Sequence, residues 1–222
     1  MKSFVVRHAD WLSFIVLSII FVAFPAVDLT VSGWFYNPTT DTWWGASSPV
    51  ADSIYGLFRY LPFLLVPVML AVVLLGLKKG MMDKSLHRIW VFLLVSLLAG
   101  PGILVHSVAK EGFDRARPKN VEQFGGRKEF TRAYEISSSC DKGCNSFVSG
   151  HAAMGFWFMA LGWALGSRGW FWAGVVTGLV LSATRIIQGG HFLSDTLLAG
   201  YLCYFTLRIC AWKILRHSRI SV

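Results

Sequence analysis

Trp90-Val-Phe-Leu-Leu-Val-Ser-Leu-Leu-Ala-Gly-Pro-Gly-Ile-Leu-Val-His-Ser-Val-Ala109 holds no Asp, Glu, Lys or Arg and runs straight into Lys110-Glu-Gly-Phe-Asp-Arg-Ala-Arg-Pro118. A helix rises about 1.5 Å per residue, so about 20 apolar residues cross the ~30 Å hydrocarbon layer of a bilayer. Such runs recur near 10–27, 57–77, 88–109, 150–167, 169–187 and 193–213, and these six are read as membrane-crossing helices. No Gly/Ser linker divides them, so residues 1–222 are expected to form a single domain. The fold class expected is all-α, a six-transmembrane-helix bundle with a long outer loop between helices 3 and 4.

Composition points the same way. Hydrophobic residues make up 55% of the 222 and charged residues only 15%, against roughly 25% charged in soluble domains. The net charge is +9, from 21 Lys and Arg against 12 Asp and Glu. In a soluble chain that excess would suggest nucleic acid; beside six apolar spans, anionic lipid headgroups are the natural partner, and nucleic acid is not expected. No obligate protein partner is indicated. The Lys2 and Arg7 ahead of the first span resemble a signal peptide, but no clear small-x-small cleavage site follows, so an uncleaved span is expected. Gly162/Gly166 and Gly174/Gly178 have the GxxxG spacing of closely packed helices.

Orientation follows from the short loops. Lys2 and Arg7, then Lys78, Lys79, Lys84 and Arg88, then Lys213, Arg216 and Arg219 mark one side, whereas 28–56 carries Asp28, Asp41 and Asp52 and no Lys or Arg. The positive-inside rule places both termini in the cytoplasm. Residues 110–149 then lie outside, yet hold Lys110, Arg115, Arg117, Lys119, Arg127, Lys128, Arg132 and Lys142. Positive charge on that side suits a polyanionic ligand, although a long loop also translocates regardless of its charge.

Counting spans brings three polar clusters to one membrane face. Lys110 and Arg117, seven residues apart, would share a face of a helix that Pro118 ends, and with Arg185 would clamp phosphate oxygens. Ser149 and Gly150 stand where the fourth helix begins, with unpaired backbone N–H groups that favour an anion. His191 and Asp195 have i,i+4 spacing, which on a helix lets the carboxylate fix the imidazole tautomer and free the other nitrogen to attack. His151 is a second imidazole, suited to protonating a leaving alkoxide. Arg115, Asp114, Lys119 and Arg127 read as solvated loop rather than contacts to a second headgroup charge, and His106 as a packed or hydrogen-bonded group. Cys203 and Cys210 lie in the last apolar run and read as packing.

Together these clusters resemble the signatures of the type 2 phosphatidic acid phosphatase superfamily. K-x6-R-P is matched by Lys110, Arg117 and Pro118; P-S-G-H by Ser149, Gly150 and His151, with Val148 for Pro; and S-R-x5-H-x3-D by Arg185, His191 and Asp195, with Thr184 for Ser. The resemblance implies a metal-independent lipid phosphatase. His191 would be the nucleophile that forms a phosphohistidine, Asp195 would orient it, and His151 would act as acid and then base. Lys110, Arg117, Ser149, Gly150 and Arg185 would hold the phosphoryl group, with no cofactor and no metal.

The loop containing Phe124-Gly125-Gly126 and Cys140-x3-Cys144 is similar to that of bacterial lipid A phosphatases of this superfamily. They act on the outer face of the inner membrane, which implies a periplasmic catalytic loop and lipid A as substrate. Phosphatidylglycerophosphate, undecaprenyl pyrophosphate and phosphotransfer remain alternatives. In that compartment Cys140 and Cys144 either pair or stay free, and spacing does not decide. A transporter would predict charges near mid-membrane and an internal repeat, and neither is seen.

Overall fold

The computed structural model describes residues 2–78, 80–136 and 144–216, with backbone alone for 2–7 and 106–111. Helix α1 (Lys2–Ala23) is followed after Phe24-Pro25 by α2 (Ala26–Gly33), and the two axes differ by 84°. Proline has no N–H to continue the ladder, so the chain can turn there and start a new helix. The expected first span, 10–27, therefore ends in a sharp bend, and α2 carries Asp28 to the start of the last helix.

Helix α3 (Pro49–Gly76) opens with a Ser48 cap, whose Oγ accepts from Ala51 N at 3.3 Å, and with Pro49 in the first turn. It tolerates Pro62 and Pro67, as helices in lipid do. Helix α4 (Lys84–Leu97) is capped by Asp83, which accepts from Ser85 N at 2.8 Å. Past α4 the chain widens into π-helical turns over Leu98–Ala109, around Pro101, and ends in the short α5 (Lys110–Phe113). Helices α6 (Gly150–Trp157), α7 (Ala160–Ala164), α8 (Arg168–Ile187) and α9 (Leu193–Cys210) complete the bundle, with wider turns over Ala211–Leu215.

Among the described residues, four helices are long and apolar enough to cross a membrane: Pro49–Gly76, Lys84–Val105, Arg168–Ile187 and Leu193–Leu215; the bent α1–α2 pair would be a fifth. The expected span at 150–167 is instead broken into helices of 8 and 5 residues. Its apolar character has another cause. Ala152, Ala153, Met154, Phe156 and Trp157 are buried against α8 and α9, so they face protein rather than lipid. Composition does not separate these two environments. Exposed apolar side chains lie elsewhere, on α1, α3 and α8, among them Val16, Ile19, Leu57, Phe63, Trp172 and Val176. A small hairpin, Tyr36–Asn37 against Thr42–Trp43, departs from the all-α expectation.

The α6–α8 contact depends on glycine. A Cβ on Gly174 would lie 2.1 Å from Met159 N, one on Gly178 2.2 Å from the Phe156 ring, and one on Gly155 2.9 Å from Gly178 Cα. The 174/178 spacing thus marks a close helix approach. Gly162/Gly166 does not form such a pair: Gly162 meets Phe171, but Gly166 sits in a left-handed turn with open space around it. Gly174→Ala is expected to cost about 1–3 kcal/mol because backbone must shift. Gly56→Ala meets nothing within 4 Å and should be neutral or stabilising. Thermal unfolding in detergent measures both; equal melting temperatures for the two variants would contradict this packing.

Candidate active site

The predicted helix from Lys110 to Arg117 does not exist. Helix α5 stops at Phe113, Asp114 takes a left-handed φ of 41°, and Arg117 is extended at φ −82°, ψ 155°. This short segment is pinned to the one before α6. Asn145 N donates to Asp114 Oδ1 at 3.2 Å, Ser146 N to Arg115 O at 2.9 Å, and Arg117 Nε to Cys144 O at 3.1 Å. Lys119 N–H reaches Gly189 O at 3.0 Å, which fixes the turn before His191. Two loops far apart in sequence are thereby held over the ends of α8 and α9.

His191 precedes α9 and is only 2% exposed. Its Nδ1 lies 2.8 Å from the Ser146 carbonyl oxygen. A carbonyl only accepts, so Nδ1 carries the proton and Nε2 keeps its lone pair. The i,i+4 helical pair is thus corrected. Because α9 begins at Leu193, Asp195 Oδ2 sits 3.7 Å from Nδ1, acting by charge rather than by a direct hydrogen bond. Asp195 accepts instead from Ser146 Oγ at 2.5 Å, Phe192 N at 2.8 Å and Arg115 Nη1 at 2.7 Å. Burial pushes the His191 imidazolium down to about 4, with Arg185 and Arg117 adding to the depression and Asp195 opposing it.

Arg115 is the main correction to the solvated-loop reading. It is fully buried, bonded through Nε to Thr131 O at 2.8 Å, through Nη1 to Ser194 Oγ at 2.8 Å and to Asp195, and through Nη2 to Asp28 Oδ2 at 2.9 Å. Its guanidinium also lies 4.3 Å from the Phe192 ring centroid. Sequence spacing offers no sign of these partners. Lys119 and Arg127 are exposed, as expected.

A cavity of about 500 Å³ collects Arg117, Gly150, His151, Arg185 and His191 on one wall. Tyr55 of α3 is wedged between two of them, 4.4 Å from the His151 ring and 4.5 Å from the Arg185 guanidinium carbon. Arg185 Nη1 donates to Gln188 Oε1 at 2.5 Å, and Gln188 Nε2 to Asp52 Oδ1 at 3.0 Å. The buried Arg185 Nε–H has no partner among the described residues, which leaves it as a donor for an anion. Gly190 makes room for this guanidinium: a Cβ there would come within 2.3 Å of Arg185 Nη2. Ser149 stands behind the wall, where its Oγ caps α6 by accepting from Ala152 N at 3.3 Å and its N–H donates to Asp195 O at 3.0 Å. Asp195, Ser149 and Arg115 are therefore tied to the cavity through their neighbours.

The rest of the cavity is mostly apolar. Phe58, Pro62, Phe63 and Val66 of α3 face Leu97, Leu98, Pro101 and Gly102, and Arg59 also lines this part. Tyr55, Arg59, Ser146 and Asp28 were not among the expected residues. Asp28 alone had a signal, as an acid at the end of an apolar run. The side chains of Lys110 and His106, and the whole of Cys140, lie outside the described residues. Cys144 is in a disulfide, and Cys203 and Cys210 are free and buried.

The chain is similar to known proteins over most of its length. A family model described as PAP2 superfamily matches residues 89–219. A protein named lipid A 4'-phosphatase from Francisella tularensis subsp. novicida (strain U112) is 35% identical over 192 residues, covering 85% of this chain and 86% of that protein. A protein of the same name from Rhizobium leguminosarum is 37% identical over 110 residues, 48% of this chain and 46% of its own. No solved structure gives a significant match.

Gly190→Ala should displace the Arg185 guanidinium and lower kcat/KM for a phosphate ester by roughly 10²-fold, the scale of an ångström's misplacement; unchanged steady-state kinetics would contradict the cradle. The depressed His191 places its protonation near pH 4 rather than 6.5, because the neutral ring is the favoured folded form. Its contribution to stability is then present above about pH 6.5 and is lost as pH falls toward 4. An acid limb in kcat/KM that reports His191, corrected for ionisation of the substrate phosphate, should lie below pH 6; a limb at 6.5 would contradict this environment.

Proposed function

The chain belongs to the PAP2 superfamily, and from that premise we propose that it is a metal-independent lipid phosphate phosphatase working through a phosphohistidine on His191. Its substrate in this reading is lipid A, at the 4'-phosphate that the relatives' name specifies. The observation that carries the proposal is the cavity itself. Arg117, Arg185, His151 and His191 line one part of it, and mainly apolar side chains, with Arg59 among them, line the rest, a surface suited to an acyl chain. A water-soluble phosphate ester has no use for that apolar surface.

The chemistry follows from the groups present. Arg117 and Arg185 hold the phosphoryl oxygens with the N–H groups at the start of α6, and Lys110 is assigned to the same cradle. His191 Nε2 attacks phosphorus, forming the N–P bond as the P–O bond to the lipid breaks. His151 protonates the departing alkoxide. A water then attacks phosphorus as His151 takes back a proton, the N–P bond breaks, and inorganic phosphate leaves. The positive charge growing on His191 during attack is met by Asp195, and the charge on the equatorial oxygens by the guanidinium groups. Charge neutralisation of this kind needs no cofactor, and activity should withstand a chelator.

Placement in the membrane is part of the proposal. The catalytic groups lie at the N-terminal ends of α6 and α9 and the C-terminal end of α8, whereas Lys78, Lys84 and Arg88 lie where α3 passes into α4. The positive-inside rule then puts both termini in the cytoplasm and the cavity on the periplasmic side of the inner membrane, with the α6–α7 pair completing six crossings. A disulfide at Cys144 fits that oxidising side. The lipid enters sideways from the bilayer between α3 and the widened turns after α4.

The test is phosphate release by the purified protein from lipid A, phosphatidylglycerophosphate and undecaprenyl pyrophosphate, with mass spectrometry of the lipids. Loss of one phosphate from lipid A alone, absent in His191→Ala, is the expected result. Equal rates in wild type and His191→Ala would remove the nucleophile, and faster release from another lipid would reassign the substrate.

A further inference from the structure

Asp28 stands apart from the family signatures, more than 60 residues upstream of the 89–219 match. It is nonetheless fully buried against the start of α9, where it bonds Ser194, the residue next to the carboxylate that faces His191. The 84° bend at Pro25 puts it there, by turning α2 across the bundle end instead of along it. Its Oδ1 accepts from Ser194 N at 2.9 Å, and its Oδ2 accepts from Ser194 Oγ at 2.5 Å and from Arg115 Nη2 at 2.9 Å. Asp195 takes the other side of the same guanidinium, through Nη1 at 2.7 Å. One buried cation is therefore shared by two buried carboxylates, and only one of these looks onto the nucleophile.

We propose that Asp28 is a positioning residue of the phosphatase, holding Arg115 so that Asp195 keeps both its place and its negative charge beside His191. The inference rests on His191 being the nucleophile. Two effects act together. Asp28 anchors the first turn of α9 by its bonds to Ser194, and so fixes where Asp195, the next residue, points. It also draws off part of the Arg115 charge. Without the Asp28 carboxylate, Arg115 would be compensated by Asp195 alone, and less negative charge would remain 3.7 Å from His191 Nδ1. That charge matters most as Nε2 attacks and the ring becomes cationic, so its loss falls on the chemical step rather than on binding. The side chain of Asp28 does not line the cavity, so a direct contact with the lipid is not part of its role.

The experiment compares Asp28→Asn with the wild type in detergent. Lipid A and a small soluble phosphate monoester serve as substrates, with melting temperature and kcat and KM determined separately. The Asn variant keeps the shape and removes the charge. kcat is expected to fall at least about tenfold on both substrates, with KM within about twofold, since a group acting through the nucleophile cannot tell one phosphate ester from another. A folded variant with kcat within twofold of wild type would overturn the proposal. So would a change confined to KM for the lipid. If Asp28→Asn does not fold, Ser194→Ala removes the bridging hydroxyl without touching a charge; a lowered kcat at unchanged KM supports the proposal and an unchanged kcat overturns it. His191→Ala separates the two readings: activity surviving there defeats the proposed mechanism itself, while an inactive His191→Ala beside a fully active Asp28→Asn defeats only the role of Asp28.

Discussion

A guanidinium shut away from water must have its charge compensated, because an unpartnered buried charge is far more costly than any bond it forms. Arg115 meets that demand with Thr131, Ser194, Asp195 and Asp28, and sits over the Phe192 ring. These partners come from the segment after α5, from α9 and from the bent N-terminal pair. Satisfying one side chain therefore fixes how three separate parts of the chain meet. Removing one partner from such a buried pair typically costs about 3–5 kcal/mol, which is a large part of a domain's stability. The site is built on this constraint.

From the same centre the electrostatics of the cavity follow. Asp195 is held by three donors before it meets His191, so its position is not left to the histidine to decide. The imidazole in turn is oriented by the Ser146 carbonyl, which admits only the tautomer with a bare Nε2. Burial and two nearby guanidinium groups keep that ring neutral. An anion in the cavity would then find cations already in place and an imidazole that does not have to lose a proton first. Preorganisation of this kind avoids rearranging polar groups during reaction.

Much of the fold was legible as apolar runs, but not the course of the backbone within them. Segments 57–77, 169–187 and 193–213 are close to the observed α3, α8 and α9. Segment 150–167 has the same composition and yet is two short helices in the middle of the bundle. Hydropathy records avoidance of water, and a protein core satisfies that as well as lipid does. Segment 10–27 hid a bend because one proline can end a helix or merely kink it, depending on what surrounds it.

The sequence by itself determined the chemical inventory: which residues carry cationic, nucleophilic and acid–base groups, and their common end of the bundle. Spacing and hydropathy are properties of one stretch at a time, and these features needed no more. It could not determine the pairing of those groups. Asp28 and Arg115 are 87 positions apart, and Arg115 and Asp195 are 80. Whether a charged residue in a polar loop is solvated or buried between two carboxylates depends on where distant backbone passes. Only the tertiary structure decides that, because a salt bridge depends on distance in space and the sequence records distance along the chain.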